Sequence, residues 1–196
     1  MVLAAYLLGS VPFGLVVTRL LGGPDPRAGG SGNIGATNVT RLAGKTAGVL
    51  TLLLDAAKGW LPTYLALAWW GSGWAAAATG LAAFLGHLLP LYLGFKGGKG
   101  VATALGVMLA VSPWAFLGML AVLAGMAWLS GYVSLGSLAG CASAPLCLLV
   151  LREPAPLTAM AGIMALLVLW AHRENIVRLR QGQEHSFRKQ SVGQDG

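Results

Sequence analysis

The stretch Gly30–Asn38 reads GSGNIGATN, and its first six residues spell G-x-G-x-x-G. Asp55 lies 20 residues past Gly35, about where a ribose-binding acid stands in a dinucleotide site. The fold turns on whether these glycines open a Rossmann turn or belong to something else. A Rossmann turn needs a strand before it and a helix after it, inside a βαβ unit. Residues 22–29 read GGPDPRAG, with two prolines and no apolar alternation. Asp55 sits inside LTLLLDAAKGWLP, residues 50–62, an apolar run that a ribose does not reach. Both halves of the fingerprint fail. GFKGGKGVA, residues 94–102, is no phosphate loop of the Walker type either, because G-x-x-x-x-G-K-[ST] finds no register there.

Composition gives the alternative. Hydrophobic residues make up 56% of the 196, charged residues 10%, and mean hydropathy is +0.72. A soluble domain carries about 25% charge, so this chain lacks the polar surface to remain in water and reads as an integral membrane protein. Apolar blocks fall at 2–21, 46–69, 74–93, 100–112, 113–130, 132–151 and 155–171. Most approach the roughly 20 residues needed to cross about 30 Å of hydrocarbon. The fourth is short and divided from the fifth only by Pro113, which leaves six or eight crossings open. The reading adopted is an all-α polytopic membrane protein with about seven transmembrane helices.

Lysine and arginine set its orientation. With the N-terminus outside, Arg19, Arg27, Arg41, Lys45, Lys96, Lys99 and five basic tail residues fall inside, 11 of 13. Only Arg152 lies outside, and Lys58 lies within a span. The C-terminus is then cytoplasmic. Trp69, Trp70 and Trp74 at the outer turn, and Trp128 and Trp170 near inner ends, match an aromatic belt. The net charge of +7 follows from topology and attraction to anionic lipid; no basic patch on a soluble fold speaks for nucleic acid. The first span lacks a basic n-region and a convincing cleavage site, so it reads as retained. Cys141 and Cys147, about 9 Å apart along one helix, do not pair with each other without breaking it. The histidines and cysteines lack metal-ligand spacing, so no metal and no cofactor is expected.

Two cytoplasmic loops then carry the glycines: residues 22–45, with GGSGNIGATN followed by Arg41 and Lys45, and FKGGKG, residues 95–100, which leads into a helix. Glycine lets backbone N–H groups approach an anion, a helix N-terminus adds partial positive charge, and the basic residues add counter-charge. Tight turns and inside anchoring account for one such loop. Two of them, with a third polar cluster HRENIVRLRQGQE from His172, point to a phosphate site at the lipid–water boundary. On a continuing helix His172, Asn175 and Leu179 share a face, and Arg173 and Glu184 do so only loosely. Ser134 and Ser137 share a face of another span, where hydroxyls commonly bond to backbone. Asp55 and Lys58 read as an ion pair within a span, structural or functional, and His87 is open between packing and site.

In order and spacing, GSGNIGATN with VTR, GHLLPLYLGFKGGKGVATALG, YVSLGS and HRENIVRL-x-x-G-x-E resemble the PlsY family, bacterial acyl-phosphate:glycerol-3-phosphate acyltransferases of the inner membrane. The resemblance covers residues 1 to about 189. It departs at Gly131, where relatives often carry a basic residue; the change weakens a lipid-facing contact and leaves the motifs intact. It implies transfer of a fatty acyl group from acyl phosphate to the 1-hydroxyl of glycerol 3-phosphate. The products are lysophosphatidic acid and phosphate, in the first step toward phospholipid, with the site facing the cytoplasm. Carried over by motif, Ser31, Arg41, Lys99, Ser137, His172 and Asn175 line the site, with Gly97 and Gly98 cradling a phosphate. His172, Asn175 and Ser137 are the catalytic set; Ser31, Arg41, Lys99, Gly97 and Gly98 bind substrate. Either His172 or the donor's own phosphate takes the proton of the attacking hydroxyl.

The H-x-x-x-x-D pattern of other acyltransferases is absent: Tyr92, Val177 and Gln190 stand five residues after His87, His172 and His185. A transporter would predict internal repeats and broken helices meeting at the midplane, and the three motifs are neither self-similar nor at that depth. A purely structural membrane protein has no need of two glycine–basic loops. The expected organisation is one transmembrane acyltransferase domain over 1–189, functional as a monomer, and a disordered polar tail over 190–196.

Overall fold

The computed structural model describes residues 1–188; the tail expected to be disordered lies outside the described residues. Among the described residues there are nine α-helices, one 3-10 turn and no strand. In chain order they are α1 (Val2–Gly9), α2 (Phe13–Leu20), α3 (Ala36–Trp70), α4 (Gly73–Leu88), the 3-10 turn Leu91–Leu93, α5 (Val101–Val111), α6 (Pro113–Ser130), α7 (Val133–Val150), α8 (Ala155–Ala171) and α9 (Arg173–Arg180).

The blocks 113–130 and 155–171 coincide with α6 and α8, because proline opens both helices, where its missing N–H costs nothing. Ser112 caps α6 by accepting the Ala115 N–H. Three breaks fall elsewhere, one inside the block 2–21, one just before 46–69 and one just after 155–171. The block 2–21 is two helices bent by 43° across Ser10–Pro12. Long α3 takes a non-helical turn at Gly44, with φ +88° and ψ 171°, which glycine alone adopts readily. The expected continuous helix through His172 instead bends by 57°, and His172 occupies the break between α8 and α9.

Gly73–Leu93, α6 and α7 are long and apolar enough to cross a membrane, and up to five spans result if each bent pair counts as one. At 11 residues, α5 rises only about 16 Å.

The core lies between α4, α5, α6, α7 and α8, around Phe84, Met108, Met119, Leu148 and Val168. Helices meet through small residues, as membrane helices do. A Cβ on Gly106 would stand 1.9 Å from the Ala56 carbonyl oxygen, and one on Gly59 would stand 2.4 Å from that of Thr103, so α3 and α5 touch backbone to backbone. Gly9 against Ala83 and Gly86 against Tyr6 do the same for α1 and α4. Outward, α6 presents Trp114, Leu117, Trp128 and Leu129, all exposed, the surface a lipid solvent requires.

Candidate active site

The first glycine loop is organised by one buried amide. Asn38, in the first turn of α3, donates through Nδ2 to the carbonyls of Pro26 (2.8 Å), Asn33 (2.9 Å) and Gly29 (3.2 Å), and its Oδ1 accepts the Ser31 N–H at 3.0 Å. The loop closes so tightly that a Cβ on Gly30, at φ +59°, would sit 2.2 Å from Asn38 Oδ1. Ser31 and Arg41, both half-buried, flank this knot.

The second loop rests on α4. The Gly98 N–H donates to the His87 carbonyl at 3.1 Å. A Cβ on Gly97 would meet that same oxygen at 2.1 Å, and one on Gly100 would meet the Phe84 ring at 2.3 Å. The FKGGKG backbone therefore lies directly on the helix end, and Lys99 projects from it.

Lys99 Nζ donates to Asn175 Oδ1 on α9. Asn175 Nδ2 donates to Glu184 Oε1 at 2.6 Å, and Arg178 Nε to Glu184 Oε2 at 2.8 Å. Burial pushes the Glu184 carboxyl up, but the hydrogen bonds from Asn175 and Arg178 outweigh it and hold it below the ordinary range. Burial, with repulsion from Arg178, draws Lys99 down to about 8 despite Glu184 and Glu174 nearby. His172 is 3% exposed; its ring Nδ1 lies 2.9 Å from the Val168 carbonyl. A carbonyl only accepts, so that contact assigns the proton to Nδ1 and leaves the Nε2 lone pair bare. Burial lowers His172 to about 4, so the ring is neutral at pH 7. Beyond α9 the tail folds back: Phe187 N–H donates to the Gly131 carbonyl at 3.1 Å, and the Arg188 guanidinium to that of Trp128.

A glycine loop and a lysine held on a buried amide chain together suit a phosphate-bearing ligand, and comparison with known proteins gives that reading a family. The model of the glycerol-3-phosphate acyltransferase family matches residues 1–182. The chain belongs to the glycerol-3-phosphate acyltransferase family. A glycerol-3-phosphate acyltransferase of Syntrophotalea carbinolica is 50% identical over 189 residues, 96% of each chain. One of Aquifex aeolicus is 49% identical over 188 residues, 95% of this chain and 97% of that one. The crystal structure of PlsY, an integral membrane glycerol 3-phosphate acyltransferase, in its glycerol 3-phosphate form superposes with a TM-score of 0.93 at 49% identity, covering 97% of this chain and 96% of that one. Its lysophosphatidic acid form gives 0.89 at 49% identity, covering 95% and 93%. The protein is thus an all-helical membrane acyltransferase of that family.

Within this acyltransferase fold, Lys99 and Asn175 are in direct contact, the Lys99 charge helps keep the nearby His172 ring neutral, and the Arg41 charge acts on Lys99. Gly97 and Gly98 form the backbone from which Lys99 projects. Ser137 faces inward on α7, 6% exposed, and Ser31 is held on the Asn38 knot. The loose pairing of Arg173 with Glu184 gives way to another arrangement: Arg173 lies over the Trp170 ring at 4.7 Å, and Glu184 takes Arg178 and Asn175. The sequence reading missed Asn38 and Glu184 as organisers. The first was legible as a buried amide inside a polar loop; the second became visible only when the chain turned back after α9.

Proposed function

We propose that this chain transfers a fatty acyl group from acyl phosphate to the 1-hydroxyl of glycerol 3-phosphate, releasing lysophosphatidic acid and inorganic phosphate. The meeting of Lys99, from the second glycine loop, with Asn175 beside a neutral His172 carries the reading: one cation and an amide chain at the foot of a glycine cradle. Lys99 and the N–H groups of Gly97 and Gly98 hold the donor's phosphate. Arg41 and Ser31 bind the glycerol phosphate with His172, and Asn175 and Ser137 orient it.

The hydroxyl oxygen attacks the acyl carbonyl carbon, and the bond from that carbon to the phosphate oxygen breaks. The electron pair leaves on phosphate. With its pKa drawn down to about 4, His172 is a weaker base than the phosphate oxyanion on which the electron pair leaves. The departing phosphate is therefore the better acceptor for the hydroxyl proton. His172 Nε2 accepts a hydrogen bond from the neighbouring 2-hydroxyl and so aims the 1-hydroxyl, whose proton passes to the phosphate; catalysis rests on positioning and oxyanion stabilisation.

The reaction belongs at the cytoplasmic face of a bacterial inner membrane, because one substrate is water-soluble and the other fatty. We take the N-terminus as outside, the crossings as about seven, and residues 1–189 as one acyltransferase domain active as a monomer. The test is phosphate release from palmitoyl phosphate by purified protein, with Lys99→Ala and His172→Ala beside it. Release that requires glycerol 3-phosphate and collapses in both variants is the expected result. Product formed only from an acyl thioester overturns the donor, and no product from any donor overturns the reaction.

A further inference from the structure

Three polar side chains lie deep in the bundle, apart from the groups assigned above. Asp55 and Lys58 on α3 are 1% and 2% exposed, and His87 on α4 is 3% exposed. Lys58 Nζ is 2.8 Å from Asp55 Oδ1 and also donates to the Val11 carbonyl at 2.9 Å, in the break between α1 and α2. That pairing meets the cost of a buried charge. His87 has a different relation to the trio. Its Nδ1 faces Asp55 Oδ1 at 3.6 Å, longer than a normal hydrogen bond, and has no hydrogen-bond partner among the described residues.

The opposite edge of the ring faces the phosphate loop. A Cβ on Gly98 would stand 2.0 Å from His87 Nε2, 2.7 Å from Cε1 and 3.0 Å from Cδ2. The imidazole thus occupies the space where any side chain at 98 would go, and the loop backbone rests on it. The backbone of the same residue holds the loop from below, through the bond from the Gly98 N–H to the His87 carbonyl. Lys99 is the next residue. A carboxylate fixed by Lys58 stands behind a ring that sets the height of the loop from which Lys99 projects.

We infer that His87, packed against Gly98 with Asp55 behind it, is a positioning residue for the phosphate loop, setting where the Gly97 and Gly98 N–H groups and Lys99 meet a substrate phosphate. The inference rests on the reaction proposed above. It differs from packing alone in one respect: losing the ring shifts the loop by a fraction of an ångström while the bundle persists, and misplacement on that scale is felt in binding.

The experiment measures KM for both substrates in wild type, His87→Ala, Gly98→Ala and the double variant His87→Ala/Gly98→Ala. Detergent thermal midpoints are recorded in parallel. Wild type that makes no product from acyl phosphate indicts the reaction and not this role, so that arm is read first. Given an active wild type, His87→Ala is expected to raise roughly ten-fold or more the KM for acyl phosphate, the substrate assigned above to Lys99 and the glycine N–H groups. Gly98→Ala drives a methyl into the ring, and removing the ring makes room for it. The double variant is therefore expected to match or exceed Gly98→Ala in folded yield and turnover. Asp55→Asn combined with Lys58→Met, which removes both charges together, should reproduce the KM signature of His87→Ala in milder form. Both KM values within two-fold of wild type in His87→Ala, with turnover lowered only as the folded fraction falls, overturns the role. So does a Gly98→Ala penalty as large without the ring as with it.

Discussion

Asn38 ties four backbone groups with one side chain, so its removal leaves several buried polar groups without partners at once. Each such loss costs about 1–3 kcal/mol. Asn38→Ala is expected to lower stability by about 3 kcal/mol and activity at least ten-fold, read by thermal unfolding in detergent and by turnover. Asn38→Asp is the sharper test: it keeps the acceptor for Ser31 but replaces the donor to three carbonyls with a second acceptor, so it should be no better than alanine. Lys99 gives a pH prediction. With its pKa drawn down to about 8, its charge is present below that value and lost as pH rises through it, while a phosphate ester stays doubly ionised above pH 7. The KM of the substrate bound at Lys99 should therefore climb between pH 7 and 9. Lys99→Arg, whose guanidinium keeps its proton, should abolish that climb whatever else it costs. Neutral His172 predicts no inflection in kcat near pH 6.5.

Among the elements, glycine spacing decides which helices approach closely. Gly106→Val is expected to force α3 from α5, costing about 2 kcal/mol or more, and to lower activity further because α5 begins two residues after Lys99. Gly125→Ala and Gly162→Ala meet no other atom within 4 Å and should be neutral or slightly stabilising, since alanine is the better helix former. Thermal midpoints of the three variants, measured side by side, check this. Most helix positions were legible in the sequence, because apolar runs ended by proline, glycine or charge have few other readings; α6 and α8 begin at the expected residues. The breaks were not. Ser10–Pro12 and His172 lie in or beside runs whose composition favours helix, and tertiary contacts accompany their bends: the Val11 carbonyl turns to Lys58, and α9 turns toward Lys99; Gly44 turns through its own positive φ. Motif residues were legible as glycine–basic loops and a polar helix end gathered at one membrane face, and through their resemblance to a family's motifs. Asn38 and Glu184 stand in motifs too, but a residue that holds a loop together resembles one that binds a ligand until its partners are seen.

For the whole molecule, the charge distribution makes a topological prediction. Lys96 and Arg152, both exposed, fall on opposite sides under the orientation proposed here. A membrane-impermeant thiol reagent applied to intact spheroplasts should label Arg152→Cys and spare Lys96→Cys, and inverted vesicles should reverse the pattern; the native cysteines, buried or half-buried, set the background. The opposite pattern inverts the fold and puts Lys99 on the wrong face for a cytoplasmic substrate.

The order in which the chain is made has a consequence of its own. Lys99 leaves the ribosome well before Asn175, and Glu184, which holds Asn175 from behind, follows later still, on the segment that turns back to Gly131. Chains are synthesised from the N-terminus, and their earlier parts fold first. A nascent chain inserted only as far as α8 therefore has its glycine cradle in place but nothing across from it, and it stays silent. Under the proposed mechanism, competence therefore comes only once α9 and the segment carrying Glu184 have followed α8 from the ribosome.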